Sequence, residues 1–269
     1  MWFKNNFLFM GTSEVITCKE EKYKKLKLVK SGSFLNQFGI GNSKVTICCI
    51  SDTHENHENI NIYKNVDILI CAGDFTNWRT SNENRVNGFL DWFKEQNAKY
   101  KFLVCGNHEL FFSSLKKEKK EELIVDMKKN NIAYLENNFG FFPELNLNVY
   151  GFPQTLKRNL FYLADAFEVK GSVMNEICNK NFEKPIDILV THCPPYQILD
   201  YTYKNKNIGS LTLLEDLILR VKPKIHIFGH NHDESGYKIY EYNGEQILFI
   251  NASRVVPYKP FTFDYYYDK

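Results

Sequence analysis

The stretch VTICCI at 45–50 is followed at once by Ser51, Asp52, Thr53 and His54. Six consecutive apolar or β-branched residues are too few for a helix, and without polar alternation they read as a strand buried on both faces. The same pattern recurs down the chain. VDILICAG at 66–73 precedes Asp74, and KFLVCG at 101–106 precedes Asn107, His108 and Glu109. VYGF at 149–152 is a fourth run, DILVTH at 187–192 ends on His192, and IHIFGH at 225–230 ends on His230, with Asn231 and His232 next. Between these runs lie amphipathic segments. In 83–96, Val86, Phe89, Leu90 and Phe93 fall on one helical face, and in 210–221 Leu211, Leu214, Ile218 and Val221 do the same. Strands alternating with helices predict an α/β fold with parallel strands.

The flanks read differently. Residues 1–43 are rich in Lys and Asn with scattered aromatics, and are expected to form an N-terminal extension or packed arm; 44–269 is expected to be one domain. Near the C-terminus, KIYEY and QILFIN flank Asn243-Gly244, a two-residue hairpin signal, and TFDYYY follows as a further strand, an antiparallel patch that closes the fold. The Lys-Glu run at 116–122 reads as a solvated helix face.

Composition narrows the class of function. Of 269 residues, 43% are apolar and 25% charged, which excludes a disordered tail. Thirty-four Lys and Arg against 32 Asp and Glu give a net charge of +2, so bulk charge calls for neither a nucleic acid nor a membrane, and an anionic substrate must be caught locally. There is no 18-residue apolar stretch, and residues 1–10 do not read as a signal peptide, so a cytoplasmic protein is expected. The seven cysteines are odd in number and include Cys48, Cys49, Cys71 and Cys105 inside strands, where they read as reduced core residues; no C-x-x-C pair suggests a zinc cluster.

Ligands of strand-helix folds bind at the carboxyl ends of the strands. Those ends carry Asp52, His54, Asp74, Asn107, His108, His192, His230 and His232, which include five of the chain's seven histidines. Taken singly, each has a structural reading as a cap, turn former or core histidine. Together they mix carboxylate and amide oxygens with imidazole nitrogens and include no thiolate, a set suited to Mn²⁺, Fe²⁺, Zn²⁺ or Co²⁺. That is too many donors for one ion; two divalent ions about 3.5–4 Å apart, sharing a carboxylate, fit the count.

The ordered blocks DTH, GDF, GNHE, TH and GHNH resemble the calcineurin-like metallophosphoesterases over about 45–251. More closely, CISDTH, AGDFT, GNHEL, THCPP, VKPKIHIFGHNH and INAS resemble the MPPED-type metallophosphodiesterases. The resemblance implies a four-layer α/β/β/α sandwich with a dinuclear site at its edge. Carried over by position, Asp52, His54, Asp74 and His232 would hold one ion, and Asp74, Asn107, His192 and His230 the other, with Asp74 as bridge. Mn²⁺ is the first expectation, with Fe, Zn, Co, Ni or Mg as alternatives. Some relatives lack the first histidine of G-H-x-H, whereas His230 is present here. GFPQTLKRNLFYLADAF at 151–167 departs from the Pro- and Trp-rich stretch of relatives, so the substrate wall is expected to differ, and Cys193 replaces a usual Gly.

The activity expected is hydrolysis of small phosphate diesters, cyclic nucleotides among them, by a hydroxide bridging the two ions. His108 would stabilise the phosphoryl group or protonate the leaving oxygen, beside the catalytic ligands Asp74 and Asn107. His57 reads as a pocket-lining or surface-loop residue, His226 as structural, and Glu109 as either a support for His108 or a solvated carboxylate. Arg79 and Arg158 are candidates to reach substrate phosphate. The competing readings are a phosphomonoesterase or protein phosphatase, a nuclease, and a non-catalytic scaffold of the same fold.

Overall fold

The computed structural model describes residues 22–62, 65–77, 79–140, 142–157, 166–253 and 259–269. Strand β3 (Ser43–Ile50) is buried on both faces by alternation. Ile47 and Cys49 point to a central core, while Cys48 and Ile50 point to an outer one. The same holds for β4 (Val66–Ala72), which pairs parallel with β3, and for β5 (Ala98–Val104), which pairs parallel with β4. One six-stranded sheet therefore runs β2 (Gln37–Gly39), β15 (Phe261–Tyr267), β3, β4, β5, β6 (Ile132–Tyr134).

The second sheet has seven strands. Its order is β1 (Lys27–Gly32), β13 (Gly236–Tyr242), β14 (Glu245–Asn251), β12 (Ile225–Phe228), β11 (Ile188–Thr191), β8 (Val149–Phe152), β7 (Asn138–Gly140). The two-stranded pair β9 (Thr155–Leu156) and β10 (Glu168–Val169) stands apart.

Ile47, Ile68, Ile70 and Phe102 from one sheet and Val149, Val190, Ile227 and Ile250 from the other share the central core. Helices α1 (Glu83–Glu95), α2 (Leu110–Ser114) and α3 (Lys117–Lys129) cover the outer face of the first sheet through Val86, Phe89, Phe93, Phe112 and Met127. On the outer face of the second lie α4 (Gly171–Cys178) and a helix whose residues Leu213–Ile218 are π-wound before α5 (Leu219–Val221). The layers are therefore helix, sheet, sheet, helix, as the resemblance implied.

Three details differ from the sequence reading. Of the helical face expected in 210–221, Leu214 and Ile218 are buried with Leu213 and Leu217, and Val221 packs against the same core, whereas Leu211, ahead of the π-wound stretch, is 41% exposed. The hairpin at Asn243-Gly244, where both residues take positive φ, belongs to the second sheet, whereas β15 crosses to the first and runs antiparallel to β3. Within 22–43, β1 and β2 add an edge strand to each sheet. Residues 1–21 lie outside the described residues.

The six described cysteines are all free and buried, with burial pushing the Cys48 thiol up to about 12. Among the described residues, no helix is long and apolar enough to cross a membrane.

Candidate metal centre

Parallel pairing sets the site. Because β3 and β4 are adjacent, with Ile50 opposite Cys71, the residues after their ends emerge side by side, and Asp52 N donates to Gly73 O at 2.9 Å. The sheets meet at this edge through a bridge between Ser51 and Ser253. The loops after β3, β4, β5, β11 and β12 thus converge from both sheets. Asp52, His54, Asp74 and His230 all take positive φ, a conformation that non-glycine residues adopt at a cost. Two glycines give the loops room. A Cβ at Gly106 would run into Asp74 Oδ1 and His192, and one at Gly229 into Ser51 and Asp52.

Asp52 and Asp74 are 0% and 2% exposed. Asp52 accepts from His230 N at 2.9 Å through Oδ2 and lies 3.0 Å from His232 Nε2 through Oδ1. Asp74 Oδ1 accepts from His108 N at 2.9 Å, while Oδ2 is 3.2 Å from His192 Nε2 and 3.7 Å from His108 Nε2. Burial works to raise both carboxyl groups. The neighbouring histidines outweigh it and hold both below the usual carboxylate range, the His232 hydrogen bond leading for Asp52 and the His192 charge for Asp74.

The imidazoles are oriented by backbone carbonyls. His192 Nδ1 lies 2.8 Å from Ala72 O, to which it donates, so Nε2 faces Asp74 and, at 3.1 Å, Asn107 Oδ1. His54 Nδ1 likewise donates to Thr76 O at 3.2 Å, leaving Nε2 3.2 Å from His232 Nε2. With each Nδ1 proton committed, lone pairs and carboxylate oxygens point at one another, a set that calls for cations. A proton is the simplest. Burial disfavours charge on His192, but the Asp74 carboxylate prevails and pushes it up to about 9. A divalent ion satisfies the same donors, and the residues fit it in type, number and tautomer.

Three groups bring their donor atoms within 4.8 Å of one another: Asp52, His54 and His232; His54, Asp74 and His108; Asp74, His192 and His230. Asp74 belongs to two of them, and Asn107 adjoins the third through His192. The structure thus gathers all eight residues named from the strand ends. It also brings His108, read as a non-ligand, to ligand distance of His54 and Asp74. Its ring centroid is 4.7 Å from that of His54, and burial lowers its pKa against the pull of Asp74.

Other expectations are corrected. His57 neither lines the pocket nor lies on the surface; it is 8% exposed and packs edge-on against Phe89 at 5.4 Å. Glu109 is neither a support for the His108 ring nor solvated. It is wholly buried and accepts from the backbone N–H groups of Asp74 (2.9 Å), Thr76 (2.9 Å) and Gly106 (2.6 Å). This one side chain fixes the loops that carry Asp74 and Asn107. Burial, then the Asp74 charge, pushes its carboxyl up to about 7, while the N–H donors favour the ionised form.

His226, read as structural, is buried with Nε2 2.9 Å from Thr191 Oγ1, beside His192, and burial pushes it down to about 3. Arg79 is exposed, and the turn before it is held by Asn77 N donating to Glu55 Oε1 at 3.2 Å. Arg158 lies outside the described residues, as do the other residues of 158–165 within the divergent 151–167 segment; at its far end Ala166 N donates to Asn107 O at 2.9 Å.

Comparison with known proteins agrees with this geometry. The family model for calcineurin-like phosphoesterases matches residues 45–234. Metallophosphoesterase domain-containing protein 1 of Homo sapiens is 32% identical over 236 residues, covering 79% of this chain and 67% of that protein. A UPF0046 protein of Caenorhabditis elegans is 34% identical over 223 residues, covering 78% of this chain and 75% of that one. Among solved structures, phosphopantetheinyl hydrolase from Mycobacterium tuberculosis shares the fold at a TM-score of 0.51 and 15% identity, over 78% of this chain and 90% of that one. The chain belongs to the calcineurin-like phosphoesterase family, in the group that includes metallophosphoesterase domain-containing protein 1. Family and clustered donors together define a metal-dependent phosphoesterase, a hydrolase acting on phosphate esters with a dinuclear divalent metal site.

Glu109→Gln keeps the side-chain shape but turns an amide N–H₂ toward backbone donors. It is expected to weaken Mn²⁺ binding about 10- to 100-fold, the usual effect of removing a group that orients ligands, as read by isothermal titration. Unchanged affinity would show that the loops hold without it.

Proposed function

We propose that the chain is a phosphodiesterase for small phosphate diesters, cyclic nucleotides among them. Its two ions are held by Asp52, His54, Asp74 and His232 on one side and by Asp74, Asn107, His192 and His230 on the other. The observation that carries the reading is Asp74, whose carboxylate stands within ligand distance of His54 on one side and of His192 and His230 on the other. The nitrogen and oxygen donor set, free of thiolate, favours Mn²⁺. Bound divalent ions supply neutralisation of phosphoryl charge and a water acidic enough to ionise near neutral pH.

The chain's own residues prepare this chemistry. Asp52 and Asp74, kept ionised by their surroundings, provide fixed negative charge where the cations must sit. The Ala72 and Thr76 carbonyls hold the protons of His192 and His54 on Nδ1, so both rings present Nε2 without rearrangement. His108, its side chain 23% exposed, stands at the open side and donates an N–H to a phosphoryl or leaving oxygen.

The preference for diesters comes first from the resemblance to the MPPED-type metallophosphodiesterases, and charge supports it. The loops at 51–55, 73–77, 106–109, 192–197 and 229–234 contain no Lys or Arg. A monoester dianion rewards additional cationic side chains, whereas two divalent ions suffice for a diester monoanion.

With saturating Mn²⁺, kcat/KM for bis(p-nitrophenyl) phosphate is expected to exceed that for p-nitrophenyl phosphate. A tenfold preference for the monoester would reassign the enzyme as a phosphatase. His108→Ala is expected to retain two metal ions and to lose about 10²-fold or more in turnover, the usual scale of a general acid or charge-stabilising group. Elemental analysis beside the assay checks both halves; near-normal turnover would reduce His108 to a structural residue.

A further inference from the structure

The segment after β11 folds back as a small hairpin on the loop that carries His230 and His232. Its own bonds are local: Tyr201 bridges Asn207, Thr202 N donates to Lys206 O at 3.0 Å, and Asn205 N donates to Thr202 O at 2.8 Å. Asp200, 1% exposed, closes the base by accepting from Asn207 Nδ2 at 2.7 Å and Gly209 N at 2.8 Å.

Its anchorage is to the metal-centre loop itself. Asn231, between the two histidines, donates through Nδ2 to Leu199 O at 3.0 Å and Tyr201 O at 3.2 Å. Asp233 accepts from Tyr203 N at 3.0 Å, and Glu234 from Tyr201 N at 2.8 Å. Asn251, at the end of β14, joins the two loops by donating to Asn231 O at 2.7 Å and Leu199 O at 3.3 Å. Four loop-to-loop hydrogen bonds from residues within two positions of His232 leave the hairpin little freedom to move independently of the centre.

What this rigid piece presents is aromatic. Tyr201 is 46% and Tyr203 76% exposed. Tyr201 is steadied by its hydroxyl, which donates to Asn205 Oδ1 at 3.2 Å. Lys204 Nζ lies 5.4 Å from the centre of the Tyr203 ring, which takes up only part of that ring's surface. A single exposed tyrosine is ordinary on a protein surface. Two of them on one short hairpin, tied by side-chain-to-backbone hydrogen bonds to the loop that carries His230 and His232, form an aromatic surface fixed to that loop.

We propose that this hairpin is the leaving-group lip of the phosphoesterase site, and that Tyr201 and Tyr203 select esters carrying a planar aromatic group, such as a nucleobase, by stacking on it. The three carboxylates of Asp200, Asp233 and Glu234 outnumber Lys204 and Lys206, so the hairpin has no net positive charge and the recognition is by stacking. The inference rests on the phosphoesterase reading above and adds the two residues that select for a base-bearing ester.

The test is equilibrium binding to the Mn²⁺-loaded protein of two probes that share phosphate and sugar, adenosine 5′-monophosphate and ribose 5-phosphate. The wild-type chain is expected to bind the adenylate about tenfold or more tightly, within the range for base–aromatic stacking. The Tyr201→Ala/Tyr203→Ala variant should lose that margin while its affinity for ribose 5-phosphate changes less than twofold, and Tyr203→Phe should keep it. Equal affinities in the wild type, or a margin that survives the double variant, would overturn the lip. Failure of the wild type to bind ribose 5-phosphate or inorganic phosphate would instead overturn the phosphoesterase reading, and the lip with it.

Discussion

Two carboxylates of like charge, Asp52 and Asp74, are buried together at the ends of adjacent parallel strands, and the rest of the structure answers to that constraint. A buried unpaired charge costs several kcal/mol. Backbone N–H groups from His230 and His108 meet one oxygen of each, and imidazoles meet the other. Even so, His192 and His54 have their Nδ1 protons directed away, onto the carbonyls of Ala72 and Thr76. The arrangement is balanced only when something positive lies among the donors, and for that reason it is a metal centre rather than a polar core.

The fold supplies what this constraint needs. Two sheets packed face to face bring five strand ends to one edge, so donors separated by 180 residues, such as Asp52 and His232, lie 3.0 Å apart. Glycines at 106 and 229 let the backbone approach the carboxylates, and Glu109 gathers the donors of three loop residues into one buried acceptor. The centre is thereby assembled from rigid strand ends and short loops, so its donors are positioned before any ion arrives.

Much of this was legible in the sequence because the strands announce themselves. Runs such as VTICCI and VDILICA are apolar on both faces, and polar residues directly after them must stand at a sheet edge. The order DTH, GDF, GNHE, TH and GHNH therefore pointed to the site before any distance was known. Glu109 was not legible, since two of its three partners, Asp74 and Thr76, lie 35 and 33 positions earlier and a glutamate beside a histidine has no local mark of burial. The burial of His57 is hidden for the same reason: Phe89 and Trp92, which pack against it, lie on a helix 32 and 35 positions further along. In the helix that contains the π turn Leu213–Ile218, the 3.6-residue period finds Leu214 and Ile218 in the core and misplaces only Leu211. Edge strands β1 and β2 have no apolar alternation to betray them, β1 being exposed along its whole length.

The central claim is that Asp74 joins two cation sites into one centre, and metal content per chain tests it most directly. After reconstitution with Mn²⁺ and removal of loosely held ions, elemental analysis of the wild-type chain should give two ions. The Asp74→Ala variant, with its fold verified by circular dichroism, should retain neither. One ion or none in the wild type, or two tightly held ions in the folded variant, would contradict the account.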